Sequence, residues 1–336
     1  MIASVDSLQH KVQRRLMLEC FRAKSYLPHK IAVCGSYTTG NIGDRAIGEA
    51  ISSALSDDGH TNQLYSHRLK APSHKYRVLG GGGVIHDRQT DAMKRRLEYV
   101  SKGGVALGIG ALPPITRAGA DRISEALDTA ALITTRDDRS KNILTDLTET
   151  SVSVTSCPAF TLDPPQLSRS EKTGVNFRPW FDEVPTELES YFGYPDVPLS
   201  RAKKEYLNNI RNIIDDVVNP VFIPFHYSDY KFAKKNLNVP VLDYQYSVSQ
   251  TLRRVASTAR MICTRYHSLV FSILTSTPSF AIGYAPKVRD LCERTDIPYT
   301  YPTEQSKVTF AIGNKKDTLR QQGFKNLELF YKSCFV

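Results

Sequence analysis

Arg260–Tyr284 reads RMICTRYHSLVFSILTSTPSFAIGY. Arg260–Cys263 is a short apolar strand, 264–267 a turn, 268–276 a helix, and Ser279–Gly283 a second apolar strand. Strand, helix and strand in so few residues read as a parallel crossover, so this stretch predicts an α/β fold. Arg265 and His267 fall where the first strand gives way to the helix. In open α/β sheets ligands bind at the carboxyl ends of the strands. A helix start adds unpaired backbone N–H groups and a partial positive charge. Arg265 supplies a planar fork for carboxylate or phosphate. His267 supplies a group that gives or takes a proton near neutral pH. The structural alternative is a histidine capping its own helix and an arginine in a surface ion pair.

The same alternation runs outward in both directions. Lys30–Gly35, Tyr76–Leu79, Val105–Ile109, Leu132–Thr135 and Val152–Ser156 read as strands, with helices over 44–56, 117–130 and from Asp138 onward. The stretch 163–174, DPPQLSRSEKTG, is rich in proline, serine and charge and marks a boundary. The pattern then restarts, with strands at Gly174–Phe177, Pro220–Pro224 and Pro240–Leu242 and helices over 201–216 and 247–257. No short tandem repeat is visible. The reading is two domains, 1–168 and 169–336, with a terminal helix over 316–333 able to cross back onto the first.

The 336 residues suit two domains of about 150 residues each. A formal net charge of +10 favours acidic partners, whether phosphates, anionic glycans, lipid surfaces or nucleic acid. No nucleic-acid-binding motif accompanies it, so none is expected as a partner. The six cysteines form no C-x-x-C pair, and Cys34, Cys157 and Cys263 lie in or beside apolar runs, as buried reduced thiols do. No signal-peptide core and no membrane-span stretch is visible, which predicts a cytoplasmic protein. Residues 6–23 form a basic amphipathic helix with Leu8, Val12 and Leu16 at helical spacing. It reads as packed on the first domain or, alternatively, as lying on a membrane surface.

Two glycine-rich stretches follow early strands. Gly35–Ala46, GSYTTGNIGDRA, leads into a helix, but its glycines at 35, 40 and 43 match neither a dinucleotide fingerprint nor a Walker loop. Asn41 and Asp44 are candidates for sugar hydroxyls, Asp44 equally for a helix cap. Gly80–Asp87, GGGGVIHD, reads as a loop that a ligand lies across, with His86 a candidate acid or base. Arg178, in GVNFRPW, stands at a strand end. Arg136 and Asp137 read as an internal ion pair, and Lys287 follows the last strand. No histidine and carboxylate cluster has metal-ligand spacing, so no metal is expected.

Taken in order, these segments resemble the polysaccharide pyruvyl transferase family. The resemblance rests on Gly40-Asn41-Ile42-Gly43-Asp44, Gly81–Gly83, Gly108-Ile109-Gly110, Arg136-Asp137-Asp138-Arg139-Ser140, Arg265-Tyr266-His267, and Thr277-Pro278 through Ile282, Tyr284 and Lys287. Departures are Arg45, Thr264, Tyr266 and Cys157-Pro158, where the family commonly has an acidic residue, glycine, leucine and Asp-Pro. The resemblance implies a GT-B-like α/β fold, two Rossmann-like domains facing across a cleft. It implies phosphoenolpyruvate as co-substrate, no other cofactor, and a polysaccharide or lipid-linked saccharide as acceptor. Arg178, Arg265, His267 and Lys287 would then bind the donor. His267, Arg265 and Asp44 would act in catalysis. Gly40, Asn41, Gly43, Asp44, Gly82 and Gly83 would bind the acceptor.

Two other functions fit the same architecture. A nucleotide-sugar glycosyltransferase would want a carboxylate for the donor ribose in the late helix, and 266–285 contains no Asp or Glu. A non-catalytic glycan-binding relic needs only the basic charge.

Overall fold

The computed structural model describes residues 2–24, 30–69, 76–88, 90–182 and 198–335. The chain divides into two units, Met1–Leu162 with Asp317–Val336, and Asp163–Lys316. The division falls at 162/163 rather than 168/169, and the terminal helix Lys316–Cys334 belongs almost wholly to the first unit.

The first unit is built on a six-stranded parallel sheet in the order β2-β1-β3-β4-β5-β6. Its strands are β1 Ile31–Gly35, β2 Asn62–Ser66, β3 Tyr76–Ile85, β4 Val105–Ala111, β5 Leu132–Thr135 and β6 Val152–Val154. Every residue of β1 and β4 is buried, as expected of parallel strands covered on both faces. Helices Ile42–Asp57, Thr90–Val100, Arg117–Leu127 and Asp138–Thr145 connect them. The core gathers Leu79, Ala106, Ile109, Ile123, Leu127 and Met93 from sheet and helices. The sheet starts at β1, one strand in from an edge, and builds first to one side with β2, then to the other, so the order reverses between β1 and β3.

The four glycines do not form a loop after a strand. They lie inside β3, which continues through them to Ile85, with φ +54° at Gly81 and +80° at Gly82. Their first task is to make room. Tyr37 is buried under the loop, its hydroxyl donating to Gly80 O at 3.1 Å, and a Cβ at Gly35, Gly48 or Gly80 would overlap its ring or hydroxyl. A Cβ at Gly81 would overlap Ile47. Gly108 and Gly110 likewise leave space, for Pro158 and for the Arg136 guanidinium.

The terminal helix is stitched to the first sheet by Asn326. Its Oδ1 accepts from Thr134 Oγ1 at 2.6 Å and Thr155 Oγ1 at 2.8 Å, and its Nδ2 donates to Ser156 O at 3.1 Å. The amino-terminal helix Ile2–Lys24 lies on the same unit, with Arg14 Nε donating to Thr38 O at 2.9 Å. Two residues of its apolar stripe, Val12 and Leu16, do not hold it there. Val12 is 48% exposed and Leu16 65%, while the side chain of Leu8 lies outside the described residues. No described helix is long and apolar enough to cross a membrane.

The second unit repeats the plan with five parallel strands in the order β11-β10-β9-β7-β8. They are β7 Thr173–Asn176, β8 Pro220–Phe222, β9 Arg260–Cys263, β10 Ser279–Ile282 and β11 Tyr299–Thr300. Helices Leu199–Asp216, Tyr227–Asn236, Val248–Ala256, Tyr266–Leu274 and Pro286–Thr295 join them. Pro240–Leu242 contributes a single bridge, Phe222 to Val241, not a strand of its own. Here the order reverses between β7 and β9. Cys34, Cys157 and Cys263 are buried free thiols, and burial pushes Cys157 and Cys263 each up to about 11.

Candidate functional site

Each sheet has one switch point, and the candidate residues gather at both. In the second unit Asn176 ends β7 and Arg178 follows it. Arg265 follows β9, the neighbouring strand, and caps the helix Tyr266–Leu274 with extended backbone at φ −75°, ψ 140°. His267 lies in the first turn of that helix and is 7% exposed. Tyr284 and Lys287 follow β10, on the other side of β9. Arg178 donates to the Tyr284 hydroxyl and lies over its ring, 5.1 Å from the centroid. Arg178 and Lys287 are half-buried.

Arg265 is not an open fork. It is 6% exposed, and one edge of its guanidinium is taken by Asp229, with Nε to Oδ2 and Nη2 to Oδ1 both at 2.6 Å. Asp229 is fully buried in the first turn of the helix Tyr227–Asn236 that follows β8. Phe225 N also donates to its Oδ2 at 3.2 Å, and Asn176 Nδ2 at 3.4 Å. Asn176 Oδ1 in turn accepts from Arg265 N at 3.4 Å. Two opposite charges at this distance in a poorly solvated site fix each other's position and nearly cancel at a distance. The pair therefore orients the strand end more than it attracts an anion. Arg178 and Lys287 add two further cationic side chains at this edge.

Beneath the pair, Tyr206 is fully buried beside Thr264 and Arg265, and burial pushes its phenol well up. Ser228 receives Arg265 Nη2 at 3.4 Å and also lines a cavity of about 370 Å³, whose walls include Lys203, Lys231, Lys235, Phe181 and Phe232. Asp229, Asn176 and Ser228 were absent from the sequence-based set. The one available signal was Asp229 itself, an acid just inside a helix that follows a strand ending in proline.

In the first unit, Asn41 rather than Asp44 caps the helix Ile42–Asp57. Its Oδ1 accepts from Gly43 N at 3.0 Å, and its Nδ2 donates to Asp44 Oδ2 at 3.0 Å. Gly40 holds φ +87° and turns the chain into that cap. Gly43 is buried in the first turn. A Cβ at Gly82 would lie 3.3 Å from Asp44 Oδ1, so Asp44 spans from the cap to the glycine strand. Gly83 is exposed, with open space where a Cβ would stand. Arg136 and Asp137 form a buried ion pair at 3.3 Å, and Asp137 caps its own helix through Ser140 N at 2.7 Å. Asp87 is held by Ile115 N and Thr116 N, at 2.9 and 2.7 Å. His86 is half-buried, and burial, then Arg96 and Arg88, push it down to about 4, so it is neutral near pH 7. Among the described residues no group of three or more His, Cys, Asp or Glu is placed to hold a metal.

The polysaccharide pyruvyl transferase family profile matches residues 41–286. Among solved structures, the UDP-GlcNAc 2-epimerase of Methanocaldococcus jannaschii is similar, with TM-score 0.50 and 9% identity over 90% of this chain and 99% of that one. An uncharacterised protein, KP1_0663, from Klebsiella pneumoniae gives TM-score 0.47 and 13% identity over 85% of this chain and 98% of that one. The first of these likenesses supports the α/β fold of two parallel sheets and nothing finer. No curated protein sequence matches significantly.

Proposed function

The chain belongs to the polysaccharide pyruvyl transferase family, and we propose that it moves a pyruvyl group from phosphoenolpyruvate to a hydroxyl pair of a polysaccharide or lipid-linked saccharide. The observation that carries this reading is the set of basic groups at one switch point. Arg178, Arg265, His267 and Lys287 follow three adjacent strands, β7, β9 and β10, at their carboxyl ends.

The chemistry suits them. The methylene carbon of the enol ester gains a proton, an acceptor hydroxyl adds to the neighbouring carbon, phosphate leaves, and the second hydroxyl closes a cyclic ketal. Arg178 and Lys287 hold the carboxylate and phosphate of the donor. Arg265, fixed by Asp229, turns its remaining N–H groups to the departing phosphate, where a preorganised donor is most effective. His267 moves the proton, a role worth about 10²–10⁴-fold in rate. Asp44 serves as base for the acceptor, beside Asn41, Gly40, Gly43, Gly82 and Gly83. No metal and no cofactor beyond the co-substrate enters this scheme. The setting is cytoplasmic. Residues 6–23 make peripheral membrane contact, a reading supported by the exposure of Val12 and Leu16 beside exposed Lys11 and Arg15.

The test is incubation with phosphoenolpyruvate and candidate saccharides, following phosphate release and the mass of the saccharide. One pyruvyl group gained per phosphate released is the expected result. Arg178→Ala is expected to raise KM for phosphoenolpyruvate, and His267→Gln to lower kcat by about 10²-fold or more. Undiminished turnover in His267→Gln refutes its role. Absence of pyruvylation on every saccharide, with nucleotide sugars accepted instead, refutes the reading as a whole.

A further inference from the structure

Lys94, Arg95 and Arg96 form a basic run on the helix Thr90–Val100. Lys94 and Arg95 are exposed, but Arg96 turns inward and is 4% exposed. It reaches the carboxyl ends of β1 and β3, the first sheet's switch point. Its bonds go to Val84 O at 3.2 Å, His86 Nε2 at 3.3 Å and Ser36 Oγ at 3.4 Å, all neutral groups. Its buried Nε has no hydrogen-bond partner among the described residues. Asp44 favours the charge on Arg96 without making ion-pair contact. A guanidinium remains protonated even here, so a positive charge is buried without a carboxylate against it.

The histidines beside it sharpen the imbalance. His86 Nδ1 faces the Arg88 N–H at 3.3 Å, and its Nε2 faces Arg96 Nη1. Neutral imidazole has one acceptor nitrogen, so either tautomer aims a ring N–H at another donor. His67 Nδ1 is engaged by Gly35 O at 3.3 Å. Burial, then Arg96, push His67 down to about 4, with Arg68 and Arg95 adding to the effect. The cluster therefore has donors and positive charge in excess and lacks an acceptor. It also reaches the surface, since Ser36, His86 and Asp44 are half-buried and Gly83 is exposed.

We infer that Arg96, His86, His67 and Ser36 form an oxyanion site that takes a phosphate group. The donors come from four segments of chain and do not form one planar fork. A tetrahedral phosphate offers them three oxygens, where a carboxylate offers two. Its second charge is met when a histidine takes up a proton. Every one of these residues belongs to the first unit, and none is among the donor residues assigned above. Taken with the acceptor role of Asn41 and Asp44, on which this last step rests, the acceptor carries a phosphate ester near its reactive hydroxyls.

The test is a titration of full-length protein, labelled with ¹³C in its histidine rings, with inorganic phosphate near pH 6 at ionic strength held by chloride. The His67 and His86 ring signals are expected to shift saturably, at a phosphate level of about millimolar, in the wild type and equally in Lys287→Gln. In Arg96→Gln the saturable response is expected to vanish. If that variant does not fold, Arg96→Lys keeps the charge but loses the fork and is expected to bind about tenfold more weakly. No saturable response of these two histidines in the wild type, or undiminished affinity in a folded Arg96 variant, overturns the inference. Pyruvyl transfer plays no part in this readout, so failure of the transfer assay and failure of the phosphate site are told apart.

Discussion

Removing the carboxylate of Asp229 is expected to destabilise the second unit far more than removing the whole ion pair. Asp229→Ala strips Arg265 of two 2.6 Å bonds and leaves a guanidinium that is only 6% exposed without a counter-charge. Breaking a buried pair from one side costs about 3–5 kcal/mol. The same change orphans Phe225 N, which adds about 1–3 kcal/mol. The sum approaches the whole stability of an ordinary domain, about 5–15 kcal/mol. In Asp229→Ala/Arg265→Met the charge penalty disappears, and the thioether fills part of the space. That double variant is expected to recover about 3 kcal/mol relative to Asp229→Ala alone. Urea unfolding followed by tryptophan fluorescence suits the measurement, because Trp180 is the sole tryptophan and is buried in this unit. If Asp229→Ala costs under about 1 kcal/mol, or if its cost is unchanged in the Arg265→Met background, the pair does not hold Arg265 in the way described.

Asn326→Ala is expected to cost about 1–3 kcal/mol, since the Thr134 and Thr155 hydroxyls each lose their shorter acceptor bond and Ser156 O loses a donor, and to make the terminal helix the first segment to exchange its amide hydrogens. Gly35→Ala is expected to cost about 1–3 kcal/mol by overlap with the Tyr37 ring, and less in a Tyr37→Leu background, checked by thermal unfolding of the four-member cycle. Stability is expected to fall with acid through His67. Its ordinary pKa is about 6.5 and its folded value about 4, so below about pH 6.5 the unfolded chain takes up a proton that the folded chain refuses. The stability present above that pH is lost as pH falls toward 4, by about 3 kcal/mol in full. Unfolding midpoints compared between about pH 7 and about pH 5 should show a steeper loss for the wild type than for His67→Gln, and equal slopes would refute it.

Much of this protein was legible because secondary structure and strand-end chemistry are local. The run KIAVCG at residues 30–35 cannot bury its five apolar or small residues except in a covered strand, and its alternation with helices gave the parallel α/β architecture. Arg265 and His267 could be placed at a strand end because the turn lies within the same short stretch that defines the strand and helix. What a side chain faces across the sheet was not legible. Asp229 lies 36 residues from Arg265, and only the order β9-β7-β8 brings the helix that follows β8 close enough for the two to pair. The glycines at 35 and 80 read as ligand loops until Tyr37, buried between them, showed that they first make room for a ring. Arg96 gave no local sign at all: Lys94-Arg95-Arg96 is a solvated basic run to any reader of the sequence. Its inward turn follows from the helical rotation of that segment against β3. Sequence determined which segments are strands and helices, because that preference is settled within a few residues. Tertiary structure decided which charges are paired and which are left buried, because desolvation and counter-charge depend on segments far apart in the chain.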